Sequence, residues 1–280
     1  MTKIYIITVG TDINGYYNIL MDSCKRLNLN IVNLALYKKW EGLKMKYTLF
    51  KNYLNKLNNN DIVIFVDAYD VFFLENEKEI LRKFYKFNRP IVFGLQNGFL
   101  TNIFMNKCRN NNLNSGSYMG YVKYLKNLLR IIHNYPSFNK IKSDQLILNS
   151  VCQKSNFFKK YVAVDSNQDI FYITNLDTRI NFKYLFTKNI GLQLKNGKIL
   201  KKDNRQPSII HLAANVNGEE MVKYLNYNTS RIKNIDNSFK VGQCKTFVLN
   251  FFNKYYINLI SIVIIILIII LIYNSKKIFM

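Results

Sequence analysis

The chain has 280 residues, of which 49% are hydrophobic, and its formal net charge is +23 at pH 7. A chain of this length can bury a full core, so we expect one domain with an appendage. The charge is compatible with nucleic acid or an anionic membrane surface as a partner. However, the lysines are scattered along the chain rather than gathered on one helix, which argues against nucleic acid.

The four cysteines, Cys24, Cys108, Cys152 and Cys244, argue against a zinc site. They show no C-x-x-C spacing, and the chain has no paired histidines. The N-terminal segment lacks the long apolar core and the small-residue cleavage site of a secretory signal. We therefore expect reduced thiols and a folded domain that faces the cytosol.

Strands and helices are expected to alternate through the first half of the chain. Lys3–Thr8 is an apolar run that ends near Gly10 and predicts a first strand. Asp12 is predicted to cap the helix that follows. Ile31–Leu36 predicts a second strand, and an amphipathic helix precedes the third. This alternation is typical of a largely parallel sheet covered by helices.

The third predicted strand leads into a pair of acids. The apolar run Ile62–Val66 predicts a buried strand, Asp67 and Asp70 interrupt the run, and Val71–Leu74 is apolar again. Carboxylates in such surroundings are costly without a partner. In open α/β sheets, ligands bind beyond the carboxyl ends of the strands, where Asp67 falls. The pair therefore suits a hard divalent cation that carries nucleotide phosphates, and an acidic turn is the alternative.

Three polar positions follow in the second half. Asn114–Ser117 is predicted to open a helix whose start could bind an anion. Asp144 lies at the start of another helix, where a capping role is the structural alternative. Pro207–His211 predicts a short strand that ends in a histidine, and such a histidine is more often structural. His133 lies on an apolar helix face and is interpreted as structural.

The C-terminal segment predicts a membrane anchor. Tyr255–Tyr273 is nearly all apolar, and at about 1.5 Å per residue it can span a hydrocarbon core of about 30 Å. Apart from Ser261, its middle is apolar on all sides, which argues against a helix in a soluble core. We therefore predict a single-pass transmembrane helix at 255–273, a polar linker at 225–254 before it and a short basic tail at 274–280.

Four segments, taken in order, resemble the glycosyltransferase domain of the procollagen lysyl hydroxylases and of the related collagen galactosyltransferases. They are FVDAYDV (65–71), LNSGSYMGYV (113–122), SDQL (143–146) and IIH (209–211). The resemblance runs from about residue 3 to about residue 215, so residues 1–224 are the predicted glycosyltransferase domain. It implies a GT-A-like nucleotide-diphosphosugar transferase fold, which is a Rossmann-like mixed α/β sheet with helices on both faces. It also implies sugar transfer from a UDP-sugar.

The same resemblance implies roles for individual residues. Asp67, Asp70 and His211 would hold Mn²⁺, or Mg²⁺, against the UDP diphosphate, where a cation acts as a Lewis acid. Tyr69 would stack on uracil, with a packed aromatic as the alternative. Asp144 would be the catalytic residue that orients the donor sugar or the acceptor hydroxyl. The remaining implied residues are Thr8, Trp40 and Lys46 on the nucleotide side, and Asn114, Ser115 and Gly116 in the sugar pocket.

Two departures from the family pattern leave two hypotheses open. The family commonly has two consecutive acids where this chain has Ser143 and Asp144, and Gly-Asn-Gly where it has Leu212, Ala213 and Ala214. The first hypothesis is a membrane-anchored hexosyltransferase that moves glucose or galactose from UDP-glucose or UDP-galactose to a hydroxyl acceptor. The family suggests hydroxylysine in collagen-like protein as that acceptor. The second is a catalytically inactive, membrane-tethered descendant that binds UDP-sugar.

Overall fold

The structure is a computed structural model, and it describes residues 2–96, 98, 108, 111–175, 190–214 and 216–233. All of these belong to one compact unit, Met1–Asp236, whereas a second unit, Asn237–Met280, lies outside the described residues. The transmembrane helix predicted at 255–273 falls in that second unit and stays a prediction. Within the described residues, no helix has the length and apolarity needed to cross a membrane.

The described secondary structure alternates as the sequence predicts. The strands are β1 (Ile4–Val9), β2 (Ile31–Asn33), β3 (Ile62–Asp67), β4 (Val71–Phe73), β5 (Ile91–Leu95), β6 (Leu113–Tyr121), β7 (Val162–Asp165), β8 (Phe171–Ile173), β9 (Gln193–Lys195), β10 (Lys198–Leu200) and β11 (Ile209–His211). The helices are α1 (Tyr17–Arg26), α2 (Lys44–Leu54), α3 (Glu77–Tyr85), α4 (Val122–His133), α5 (Asp144–Lys154), α6 (Asn156–Tyr161) and α7 (Glu219–Tyr224), with a 3₁₀ turn at Thr229–Arg231.

The central sheet has six strands in the order β2-β1-β3-β6-β5-β7. β1 is parallel to both β2 and β3, and β5 is parallel to β7. β6 runs antiparallel to β3 and β5 between them, so the mixed α/β sheet is confirmed, and the sheet is less parallel than the alternation of strands and helices indicated. β9 and β10 form a separate hairpin.

Helices cover both faces of this sheet, and the alternation of side chains along β3 decides which residues meet them. Val63 and Phe65 pack in a core cluster with α2, α4 and α5. Ile62 and Ile64 point the other way, into a cluster with α1 and α3. Asp67 continues the first series, so it emerges at the strand end on the side covered by α2 and α5.

A second, three-stranded sheet in the order β4-β11-β8 places a histidine beside the acidic turn. β11 is antiparallel to β4, and His211 pairs with Val71, the residue that follows Asp70. The predicted strand before His211 is therefore confirmed, and its end meets the start of β4. Strand pairing alone thus brings the late histidine to the two acids.

The prediction that Asn114–Ser117 opens a helix is wrong. This segment is part of β6, and α4 begins only at Val122. The small residues reflect close packing in a central strand: a Cβ atom on Gly120 would lie 2.6 Å from the carbonyl oxygen of Pro90. The anion-binding helix start expected at this position is therefore not formed.

The prediction that Asp12 caps the first helix is also wrong. α1 begins at Tyr17, and no side chain caps it. The Asp12 carboxylate instead accepts hydrogen bonds from the backbone N–H of Ile13 at 2.6 Å and from Asn14 Nδ2 at 2.8 Å. These two hydrogen bonds stabilise the loop after β1. The helix starts beyond this loop, because Gly15 turns the chain with a φ of 53°.

The expectation of reduced thiols is wrong for two of the cysteines. Cys108 and Cys152 form a disulfide across a sequence separation of 44, with Cα atoms 5.2 Å apart. The cytosol-facing orientation of the domain stays a prediction. Cys24 is a buried free thiol, and burial raises its pKa to about 12.

Candidate functional site

Two acids and a histidine meet at the carboxyl end of β3. Asp67 is the last residue of β3, Asp70 lies in the turn before β4, and His211 ends β11. One ligand atom from each of the three residues lies within 4.8 Å of the others. His211 Nε2 is 3.3 Å from Asp70 Oδ2 and 3.9 Å from Asp67 Oδ2. The three residues predicted as metal ligands are therefore brought together.

The chemistry and exposure of this cluster fit a divalent cation. Two carboxylates and one imidazole form a donor set that suits Mn²⁺ and related hard or borderline cations. The Asp67 and Asp70 side chains are 23% and 27% exposed, whereas His211 is buried. A cation could thus reach the carboxylates from solvent and meet the imidazole behind them.

The electrostatics of the cluster favour the charged forms of His211 and Asp70. Burial alone lowers the pKa of His211, but the carboxylates of Asp70 and Asp67 outweigh it, and the pKa is raised above its ordinary value. Burial likewise raises the pKa of Asp70, but the charge of His211 and its hydrogen bond outweigh it and lower that pKa. A cation that binds here must therefore displace the proton from His211 Nε2.

A buried lysine links this cluster to the predicted catalytic acid. Lys46 Nζ, on α2, donates to Asp67 Oδ1 at 2.7 Å and to Asp144 Oδ2 at 3.0 Å. Burial lowers the pKa of Lys46, but the two carboxylates outweigh it, so the pKa is raised and the ammonium stays charged. Asp67 thus uses one oxygen for Lys46 and keeps the other near His211.

Asp144 is the first residue of α5, and Ser143 takes the capping role that was the alternative for it. The Ser143 hydroxyl accepts the N–H of Leu146 at 3.3 Å. Asp144 is buried, and its carboxylate accepts the N–H of Gln145 at 2.9 Å in addition to Lys46. Asp144 therefore lies beside the acidic cluster, held by Lys46 and by the start of α5.

The predicted sugar-pocket residues lie on β6, next to Asp67 and His211. A Cβ atom on Gly116 would lie 2.1 Å from Asp67 Oδ2 and 2.8 Å from His211 Cε1, so only glycine leaves room for both ligands. Asn114 is buried, and its side chain donates to Gln96 Oε1 at 2.7 Å and accepts the N–H of Gly116 at 2.9 Å. Ser115 is buried beside them. Asn114 therefore uses both of its polar atoms to hold this strand.

The remaining predicted nucleotide residues are not joined to the cluster by any described hydrogen bond. The Tyr69 hydroxyl accepts the backbone N–H of Thr11 at 2.7 Å and of Asp12 at 3.0 Å, which holds the loop after β1. Thr8 is completely buried, and its hydroxyl has no hydrogen-bond partner among the described residues. Trp40 is 43% exposed. Their assignment to a nucleotide stays a prediction.

Several contacts at the site had no signal in the sequence. The Ser117 hydroxyl lies 2.8 Å from His211 Nδ1, across 94 residues of chain. The Tyr47 hydroxyl donates to the backbone oxygen of Asp144 at 2.8 Å. The Asn149 side chain bonds the backbone N–H and C=O of Leu113 at 2.9 and 3.0 Å, which ties α5 to β6. None of these pairs is local, so only the fold could reveal them.

Comparison with known proteins decides the family. A protein-family model with the description PLOD GT domain matches residues 1–238. The chain belongs to this family. The resemblance inferred from the sequence motifs is thereby confirmed, and the matched residues include every member of the cluster around Asp67. The PLOD GT domain is a glycosyltransferase domain, so a transferase function at this level is supported as well.

Similar proteins include two procollagen-modifying enzymes. The chain is 25% identical over 234 residues to the multifunctional procollagen lysine hydroxylase and glycosyltransferase of Caenorhabditis elegans, covering 76% of this chain and 32% of that protein. It is 26% identical over 247 residues to procollagen-lysine,2-oxoglutarate 5-dioxygenase 2 of Mus musculus, covering 80% and 31%. The chain therefore spans about a third of the length of these relatives.

Among solved structures, the chain is similar to a glycosyltransferase involved in the glycosylation of the major capsid of PBCV-1. The match has a TM-score of 0.43 and 10% sequence identity, and it covers 76% of this chain and 93% of that chain.

Proposed function

We propose that this PLOD GT domain, with a GT-A-like fold, transfers glucose or galactose from UDP-glucose or UDP-galactose to a hydroxyl acceptor with the help of Mn²⁺ or Mg²⁺. The observation that carries the proposal is the convergence of Asp67, Asp70 and His211 within 4.8 Å, next to the ion pairs that Lys46 makes with Asp67 and Asp144. A divalent cation at the three ligands would offset the negative charge that develops on the departing UDP.

The side chains around the ligands contribute binding and orientation. Lys46 holds Asp67 through Oδ1 and leaves Oδ2 near His211. An ammonium has three hydrogens to donate, and two are used by Asp67 and Asp144 in the described contacts. We propose that the third donates to an oxygen of the diphosphate or the sugar. The Asp144 side chain would orient a hydroxyl of the donor sugar or of the acceptor.

The acceptor proposed is hydroxylysine of a collagen-like protein. The C. elegans and mouse relatives are named for procollagen lysine modification, and this chain covers only about a third of each. The acceptor therefore comes to this chain as a proposal. Membrane attachment through residues 255–273 likewise remains a proposal that rests on the apolar sequence.

The alternative is the inactive, tethered descendant, for which two departures from the family pattern argue. The structure weakens the argument from one of them, at residue 143. Ser143, which stands where the family commonly has an acid, caps α5. Its neighbour Asp144 keeps a carboxylate beside Lys46. The change at residue 143 therefore leaves the acidic side chain of this position in the cluster.

The test is release of UDP by the full chain, offered a panel of UDP-sugars with Mn²⁺ and then with a chelator. We expect metal-dependent release from UDP-glucose or UDP-galactose, and its loss in His211→Asn. His133→Asn is the matched control, because His133 lies outside the cluster, where its ring hydrogen-bonds the backbone oxygen of Leu129 and stacks on Phe138. Binding of UDP without release from any sugar, in the presence of a hydroxylysine peptide, would favour the inactive alternative.

A further inference from the structure

The ring of His211 has a hydrogen-bond partner on its far side from the two acids. Ser117 Oγ lies 2.8 Å from His211 Nδ1, and both residues are almost completely buried. The opposite ring nitrogen, Nε2, is the one that lies near Asp67 and Asp70. The two nitrogens of one imidazole therefore face two different environments.

The sense of the hydrogen bond decides whether His211 can bind a cation. If Nδ1–H donates to the hydroxyl, Nε2 can lose its proton and present a lone pair to a metal. If the hydroxyl donates to Nδ1, Nε2 keeps its proton and cannot be a ligand. Ligating histidines usually donate their other N–H to an oxygen acceptor, which fixes both tautomer and ring orientation.

The strand register explains why Ser117 occupies this position. Ser117 pairs with Val66, the residue directly before Asp67, across β6 and β3. Its predecessor Gly116 has no side chain, and a Cβ atom there would collide with Asp67 and His211. Two successive residues of β6 therefore contact the imidazole of His211. Gly116 leaves room for the ring, and Ser117 forms a hydrogen bond with it.

We propose that Ser117 is a positioning residue for the metal ligand His211. It accepts the Nδ1–H hydrogen bond and thereby holds Nε2 towards Asp67 and Asp70 as a lone-pair donor. The inference rests on the proposed metal binding of this cluster. It adds that part of the metal affinity comes from a residue that does not touch the metal.

The first experiment measures Mn²⁺ affinity in the full chain, from the electron paramagnetic resonance signal of free Mn²⁺. Ser117→Ala should weaken binding about 10- to 100-fold, the usual effect of removing such a support. Ser117→Cys keeps similar volume with a weaker acceptor and should fall between alanine and serine. Ser208→Ala is the matched control, because this fully buried hydroxyl bonds Glu75 at 2.6 Å instead, and it should leave Mn²⁺ affinity unchanged.

The second experiment observes the ring directly. The chain has two histidines, so histidine labelled with ¹⁵N gives two ring systems, and His133→Gln assigns them. With saturating Mg²⁺, the wild type should show His211 protonated at Nδ1. A proton on Nε2 instead, or the same Mn²⁺ affinity in folded Ser117→Ala as in the wild type, would overturn the role of Ser117. No Mn²⁺ binding by the wild type would overturn the proposed metal centre as well, so the two failures are distinguishable.

Discussion

Two of the largely buried lysines, Lys83 and Lys46, are satisfied in different ways. Lys83 Nζ donates to Glu75 Oε2 at 2.5 Å and to the backbone oxygens of Asp169 and Gln206 at 3.0 and 2.7 Å. Its three donors are therefore all used. Lys46 Nζ has two carboxylates as its described partners, and the acceptors are 23% and 8% exposed.

The difference distinguishes Lys83, whose bonds stay within the fold, from Lys46, which we propose acts in the site. Lys83 ties α3 to two backbone carbonyls, so its bonds fix the chain. Lys46 joins two acids from different elements, one at the end of β3 and one at the start of α5, at a site that is partly open. Two carboxylates gathered around one lysine at such a site cost folding free energy. Groups of charged side chains of this kind are typical of sites that bind a ligand.

The largest expected effect comes from removing an acid that Lys46 shares with the cluster. Asp67→Ala should lower UDP-sugar turnover at least about 10³-fold, because a bound cation supplies several kcal/mol of transition-state stabilisation. Asp203→Ala is the control, since this carboxylate is 47% exposed and pairs with Arg205. Equal turnover in Asp67→Ala and Asp203→Ala, measured as UDP release, would remove Asp67 from the metal site.

Substitution of each lysine by methionine should affect turnover differently. Lys83→Met leaves the largely buried carboxylate of Glu75 without an ammonium partner, with only the Ser208 hydrogen bond among its described contacts. It should lower the free energy of unfolding by about 3–5 kcal/mol, with unchanged turnover per folded molecule. Lys46→Met should lower turnover per folded molecule about 10²-fold or more, because the site loses the ammonium that Asp67 and Asp144 share. Urea unfolding and UDP release measure the two quantities. Lower turnover per folded molecule in Lys83→Met than in Lys46→Met would contradict the role proposed for Lys46.

A smaller effect is expected from the glycine behind the ligands. Gly116→Ala places a methyl group against Asp67 and His211, and an overpacked site typically costs about 1–3 kcal/mol. If this cost falls on metal binding, it corresponds to about 5- to 150-fold in Mn²⁺ affinity. Gly120→Ala collides with the backbone of Pro90 in the same strand, so it should destabilise the domain without a specific loss of Mn²⁺ affinity. Calorimetric Mn²⁺ titration of both variants separates the two outcomes.

The smallest expected effect is a pH dependence of metal binding. The pKa of His211 is raised in the metal-free protein, so its stabilising contribution is fully present below the unfolded pKa of about 6.5. That contribution is lost as pH rises through the raised pKa. Mn²⁺ affinity should increase over the same rise, up to about tenfold per pH unit, because one proton is displaced. A flat profile between pH 6 and pH 8 would contradict proton competition at Nε2.

Local patterns in the sequence were sufficient for much of the fold. The apolar runs before Asp67 and His211 predicted β3 and β11, and Ser143 with Asp144 marked the start of α5. The segment at residues 114–117 was misread because small polar residues suit a helix start and a close-packed central strand equally well. The disulfide was missed because 44 residues of sequence separate its partners.

By itself, the sequence determined the alternation of strands and helices, the acidic pair after a buried strand and the family motifs. These features depend on residues that are close together along the chain. Only the tertiary structure decided that Lys46 bridges Asp67 and Asp144, that Ser143 rather than Asp144 caps α5, and that Ser117 bonds His211. Such contacts depend on strand register and helix placement, which are set by the packing of the whole domain.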